Sequence, residues 1–176
     1  MNKPALVIAI FVFFSFLSVV SAQSFQPRWS YEVFFEVFPV AISENGRYLA
    51  AGSSTILYFF SRDNNQPLWS SEVGSVRSIS MTPNGQCIAV AARDKVYLFD
   101  NAGTKLWERY LAEEGQGEMA EIVVKDVAIS ADGNSIAAVG ANSVNLFSKS
   151  GERLWYRYGN PSDPSHTNAV AISADG

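Results

Sequence analysis

One cysteine, Cys87, and one histidine, His166, are all that the 176 residues hold of either type. A single cysteine rules out an internal disulfide, so an exported domain of this size rests on its core. A lone histidine without a cysteine partner is a poor start for a metal site and reads more simply as a surface residue. Cys87 lies in an apolar run, "QCIAVAA", which marks a buried thiol rather than a reactive one. Charge is scarce as well: only 17% of the residues are charged and no basic patch stands out, which argues against a nucleic-acid partner. Gly-x-Ser-x-Gly, a phosphate loop and His-Glu-x-x-His are all absent. Beyond residue 22 no stretch sustains a helical period.

What is present is apolar and aromatic. Hydrophobic residues make up 48% and aromatic residues 13%, a mix that suits a β-rich domain. Residues 1–22 read as a secretory signal peptide: Lys3, then the apolar run Ala5–Val20, then small residues at "VSA" before a cleavage point after Ala22. The other reading is an uncleaved membrane anchor, for which a run of 16 is short against the ~20 residues of a span. The localisation expected is export: extracellular, cell-surface or periplasmic. Removing Lys3 from the 13 basic residues leaves 12 against 17 acidic, a net charge of −5.

Residues 23–176 repeat. "SENG", "TPNG", "SADG" and "SADG" end at Gly46, Gly85, Gly133 and Gly176. Each is a hairpin signal, because glycine tolerates the positive φ such turns need. Each follows an alternating tetrad, such as Val127-Ala128-Ile129-Ser130, with one large apolar face and one small face. A second run (Ile88-Ala89-Val90), a third (Val96-Tyr97-Leu98-Phe99) and a fourth ending in tryptophan complete the unit. Trp69, Trp107 and Trp155 close three units, and Trp29 fills the same slot with nothing before it.

Spacing selects the architecture. From hairpin glycine to tryptophan the chain advances 23, 22 and 22 residues. From tryptophan to the next hairpin glycine it advances 17, 16, 26 and 21. A rigid four-stranded unit on an elastic connection, recurring every 38–48 residues, is the period of a propeller blade. Blades bury both faces around an axis, so inner strands favour Ala, Gly and Ser while outer strands favour Phe, Tyr and Trp. The expected fold is all-β: a partial β-propeller with blade units 40–69, 78–107 and 127–155, an N-terminal outer strand and a C-terminal hairpin stub at 170–176. Trp29–Val37 would be the outermost strand of a closing blade. Three whole units do not close a ring, so the chain reads as the N-terminal portion of a longer protein. A ring assembled from several chains and an open arc stay open as alternatives.

Val40–Trp155 resembles β-propellers of the WD-repeat and quinoprotein-like superfamilies. "VAISADGNSIAAVG" is similar to the first hairpin of a WD repeat, although the Trp-Asp ending and the opening Gly-His are missing. "LFDNAGTKLW" resembles the tryptophan-docking motif of quinoproteins through Asp100, Gly103 and Trp107, one residue short and without its Thr. That resemblance implies that Trp69, Trp107 and Trp155 pack between adjacent blades. It does not extend to a quinone-dependent dehydrogenase. The adjacent cysteine pair of some such enzymes cannot form here, and no catalytic or cofactor-gripping set matches. No catalytic residue and no cofactor is expected; calcium or a quinone stays open but unsupported by these residues.

Function is expected on loops at one end of the axis. Leu111–Glu121 carries Glu113, Glu114, Glu118 and Glu121; it reads as a solvated acidic loop, or as a weak calcium lip without the regular Asp spacing of a calcium loop. Tyr158–Asn168 carries Asp163 and His166. Arg109, Tyr110, Arg157 and Tyr158 follow their tryptophans and form, with His166, a candidate rim for a protein or glycan. Ordinary outer-strand packing with snorkelling arginines is the plainer reading. The functional expectation is a secreted, non-catalytic binding or scaffold module. The alternative is an extracellular enzyme with its active site in blades beyond residue 176.

Overall fold

The structure is a computed structural model that describes residues 27–33, 36–111, 123–140, 143–158 and 168–176. The signal segment and Glu113, Glu114, Glu118, Glu121, Asp163 and His166 lie outside the described residues. The described residues are all-β, with twelve strands and no helix. Blade 1 is β1 (Val37–Ile42), β2 (Tyr48–Ser53), β3 (Ile56–Ser61) and β4 (Pro67–Glu72). Blade 2 is β5 (Val76–Met81), β6 (Cys87–Ala92), β7 (Lys95–Asp100) and β8 (Lys105–Tyr110). Blade 3 is β9 (Asp126–Ile129), β10 (Ser135–Val139), β11 (Ser143–Ser148) and β12 (Arg153–Tyr158). Each is an antiparallel meander in sequence order, and the innermost strand β5 lies against both β1 and β9. This is a partial β-propeller.

The middle blade shows why both strand faces are apolar. Successive side chains on a strand point to opposite faces. On β6, Ile88, Val90 and Ala92 enter one core with Leu57 and Phe59 of blade 1. Cys87, Ala89 and Ala91 enter a second core with Ile129, Ile136 and Phe147 of blade 3. All six residues of β6 are therefore buried. The largest fully buried side chains, Phe59, Phe99 and Phe147, sit on the third strands, where the wedge between blades widens. Burying each contributes about 1.5–3 kcal/mol. On β1 no blade covers the same large face among the described residues, and Val40 and Ile42 are 59% and 62% exposed.

The first hairpin of each blade is closed by side chains. The Ser43, Thr82 and Ser130 hydroxyls accept from the backbone N–H groups of Tyr48, Cys87 and Ser135, each at 3.0 Å. They donate to Asn45, Asn84 and Asp132 at 2.9, 2.9 and 2.6 Å. The turns are longer than the two-residue type, because the last pair before the loop is Ile42 with Leu49. Only the glycines at 46, 85 and 133 take positive φ, +65°, +70° and +73°. The Asn or Asp before them is spent on capping the loop instead.

Tryptophans join blade to blade. The indole N–H groups of Trp69 and Trp107 donate to the Asn101 and Lys149 carbonyls of the next blade, at 3.1 and 2.9 Å. Their rings lie 5.6 and 5.8 Å from Phe99 and Phe147. Trp29 repeats the arrangement on blade 1, donating to the Arg62 carbonyl at 2.8 Å with its ring 5.6 Å from Phe60. Residues 27–33 hold this position without a strand ladder, and β1 begins at Val37. Trp155 is 47% exposed.

Segment 168–176 lies along blade 3. Val170 N–H donates to Asp126 Oδ2 at 2.8 Å, and Ala131 N–H to the Ala174 carbonyl at 3.0 Å. The first turns of blades 1 and 2 are linked in the same way, Glu44 N–H to the Pro83 carbonyl at 3.0 Å. Pro83 has no N–H of its own and so cannot pass the link on to Ala131.

Candidate functional site

Antiparallel meanders put the blade-to-blade links and the β2–β3 and β6–β7 turns at one end of the molecule. The β6–β7 turn is Ala92-Arg93-Asp94-Lys95, with Ala92 paired to Lys95. Arg93 is the one non-glycine residue with positive φ among those described, at +52°. Its N–H donates to the Ser75 carbonyl at 3.1 Å and its carbonyl accepts from Val124 N–H at 2.7 Å. One strained residue therefore ties the blade 1–2 link to the blade 2–3 link. The left-handed conformation costs about 1–2 kcal/mol for a residue with a Cβ.

Beside this turn lies a cleft of about 430 Å³, lined by Val73, Gly74, Arg93, Asp94, Lys95, Tyr97 and Tyr110. Antiparallel pairing sets Lys95 opposite Tyr110 and Tyr97 opposite Glu108. The Lys95 ammonium donates to Glu108 Oε1 at 2.7 Å and stands 4.6 Å over the Tyr110 ring. Lys105 donates to the other Glu108 oxygen at 2.5 Å. The Tyr97 hydroxyl donates to the Val73 carbonyl at 3.4 Å, and burial pushes its pKa up. Tyr110 is 52% exposed at the cleft edge.

Neither Glu108 nor Lys95 is poised for proton transfer near neutral pH. Hydrogen bonds from Lys105 and then Lys95 hold the Glu108 carboxyl below its ordinary pKa. The hydrogen bond to Glu108 in turn holds the Lys95 ammonium well above its ordinary value. Both shifts drive the groups further into their charged forms at neutral pH, whereas a general acid or base needs a pKa near the working pH. The cleft thus carries fixed charges beside a half-exposed phenol.

The structure separates the residues of the sequence-derived rim. Tyr110 borders the cleft. Arg109 does not: its Nε donates to the Gly151 carbonyl and its Nη1 to the Glu108 carbonyl, both at 2.8 Å, so it fastens blade 2 to blade 3. Arg157 and Tyr158 are exposed on β12, along a separate depression of about 620 Å³ lined by residues 153–158. The sequence reading missed Arg93, Asp94, Lys95 and Tyr97. A signal for the first three was present: blade 2 has "ARDK" at 92–95 where the corresponding stretches read "SSTI" at 53–56 and "GANS" at 140–143.

No family model matches the chain, and no curated protein matches it. Solved structures do. The β-propeller domain of Cps50 (Swd1) from Myceliophteria thermophila aligns at a TM-score of 0.62 and 14% identity, over 80% of this chain and 48% of that one. The WD40 repeats of RRP9 align at a TM-score of 0.66 and 9% identity, over 81% of this chain and 44% of that one. U3-55K aligns at a TM-score of 0.67 and 8% identity, again over 81% and 44%. The chain spans about half the length of these structures. The fold is that of WD40 β-propellers, and the described residues form three blades of it.

Proposed function

We propose that the chain is a non-catalytic β-propeller module that binds a protein partner at the link end of blade 2. The observation that carries this is the cleft where Lys95, held by Glu108, stands over the exposed Tyr110. A rigid propeller with variable chemistry on its loops is suited to recognition, and tyrosine beside fixed charge is a common binding anchor. Export is part of the same proposal and rests on residues 1–22. A quinoprotein-like docking arrangement inside the propeller is supported by the tryptophans seated on neighbouring blades.

Peptide and glycan arrays probed with the purified chain test the assignment, with Tyr110→Ala and Lys95→Ala run in parallel. Peptide binding that falls by at least about tenfold in both variants supports the cleft as the contact. Binding to glycans alone would overturn the protein partner. Calcium-dependent or quinone-dependent turnover would overturn the non-catalytic reading. Expression with residues 1–22 in place and N-terminal sequencing of the product test export; a mature chain starting at Gln23 is expected.

A further inference from the structure

The cleft beside the β6–β7 turn has Arg93, Asp94 and Lys95 on its walls. Its cations are engaged. Lys95 lies 2.7 Å from Glu108 Oε1 and stands over the Tyr110 ring, and Arg93 is not free either. Asp94 differs. Among the described residues no hydrogen bond or ion pair reaches its carboxylate.

The turn holds this carboxylate in place. Ala92 pairs with Lys95, so Arg93 and Asp94 are the two central residues. Arg93 takes φ +52° and Asp94 keeps a negative φ, the sign order of a type II′ turn, whose first central position ordinarily goes to glycine. The Arg93 N–H and carbonyl are bonded to Ser75 and Val124, which pins the backbone just before Asp94 on two sides. Asp94 itself is half-buried. Its charge is felt inside the cleft: burial is the chief cause of the raised Tyr97 pKa, and Asp94 is among the charges that add to it.

These facts select the sign of the occupant. An anion would have to draw Lys95 away from Glu108 before it gained a counter-charge. A cation meets Asp94 with no bond broken, and Glu108 offsets the nearby Lys95 charge. The chain carries a net charge of −4, which also draws a basic partner from a distance. Tyr110, 52% exposed and set opposite Lys95 by strand register, supplies an aromatic surface at the cleft edge. Arginine suits both features, since its planar guanidinium forks onto a carboxylate and stacks on a ring.

We infer that the partner presents an arginine to this cleft, paired with Asp94 and lying against Tyr110. The inference rests on the cleft reading above and adds the chemistry of the contact. Asp94 determines specificity, and Lys95, held by Glu108, keeps the Tyr110 ring in place.

The test uses the purified chain with a nitrogen-15 backbone label and three probes: N-acetyl-arginine N-methylamide, its neutral citrulline counterpart, and N-acetyl-glutamate N-methylamide. The arginine probe is expected to move the amide signals of Asp94, Lys95 and Tyr110, the citrulline probe to leave them unmoved. Asp94→Asn should weaken arginine binding by at least about fivefold while its thermal midpoint stays within about 2 °C. The same affinity should fall as salt rises from about 50 to about 300 mM. Equal shifts from arginine and citrulline, unchanged affinity in Asp94→Asn, stronger binding of the glutamate probe, or no shift from any probe would each overturn the inference. If Asp94→Asn fails to fold, the comparison of arginine with citrulline decides. Peptide-array binders that are lost in Tyr110→Ala yet contain no arginine would overturn the arginine and leave the cleft standing. Binders untouched by Tyr110→Ala, Lys95→Ala and Asp94→Asn alike would overturn both.

Discussion

Trp107 lies flat on Gly151, the ring of one blade against the backbone of the next, and the contact leaves no room for a side chain. A Cβ on Gly151 would meet the ring at 2.7 Å, on a backbone already at φ +80°. The left-handed penalty alone is about 1–2 kcal/mol. Gly151→Ala is therefore expected to lower unfolding stability by at least about 2 kcal/mol once the indole is displaced. Urea denaturation would check this, with an unchanged m-value showing that the fold is kept.

Trp69→Phe separates ring packing from hydrogen bonding. The ring can still lie near Phe99, but the Asn101 carbonyl loses its 3.1 Å donor. The contact is solvent-exposed, so a loss of about 0.5–1.5 kcal/mol, the net worth of one hydrogen bond, is expected. A neutral result in the same denaturation experiment would show that water replaces the indole.

Asn145 is 1% exposed and its Oδ1 has no hydrogen-bond partner among the described residues. Its Nδ2 donates to Ser143 Oγ at 3.4 Å. An unpaired buried acceptor costs about 1–3 kcal/mol. Asn145→Leu is expected to raise stability by about 1 kcal/mol, seen as a higher denaturation midpoint.

Acid should weaken the fold in a defined window. Glu108 and Asp132 both have pKa values lowered in the folded state, Glu108 by its lysines and Asp132 by Ser130 and the Asn134 N–H. Such groups add stability above their unfolded pKa values and lose it as pH falls through the folded ones. Stability is expected to be level down to about pH 5 and to decline below it. Glu108→Gln with Asp132→Asn should flatten that decline in thermal melts taken across the acid range.

Cys87 is buried and its pKa is raised, chiefly by desolvation. Both effects suppress the thiolate, which is the reactive form. A thiol reagent at mildly alkaline pH should label the native chain only as fast as it unfolds, and at once in denaturant. Rapid native labelling would place Cys87 at the surface.

The blades were legible because their signals are local. The tetrad Val127-Ala128-Ile129-Ser130 and the turn ending at Gly133 announce a strand and its reversal through alternation and φ preference alone. The turn type was not legible, since Asn45 and Asn84 serve a loop-closing hydrogen bond as readily as a left-handed turn. Of the candidate rim, only Tyr110 lies at the cleft proposed as the contact. Arg109 and Arg157 look alike in "WERY" and "WYRY", yet one is fastened to Gly151 and the other is exposed.

By itself the sequence determined the three four-stranded meanders, their order and their pairing, because these follow from short-range alternation and turn chemistry; of the strand expected over Trp29–Val37, residues 29–33 form no ladder. Only the tertiary structure decided which side chains meet across blades. Trp107 finds Lys149 and Lys95 comes to stand over Tyr110 through sheet stacking and strand register, and no local preference encodes either meeting.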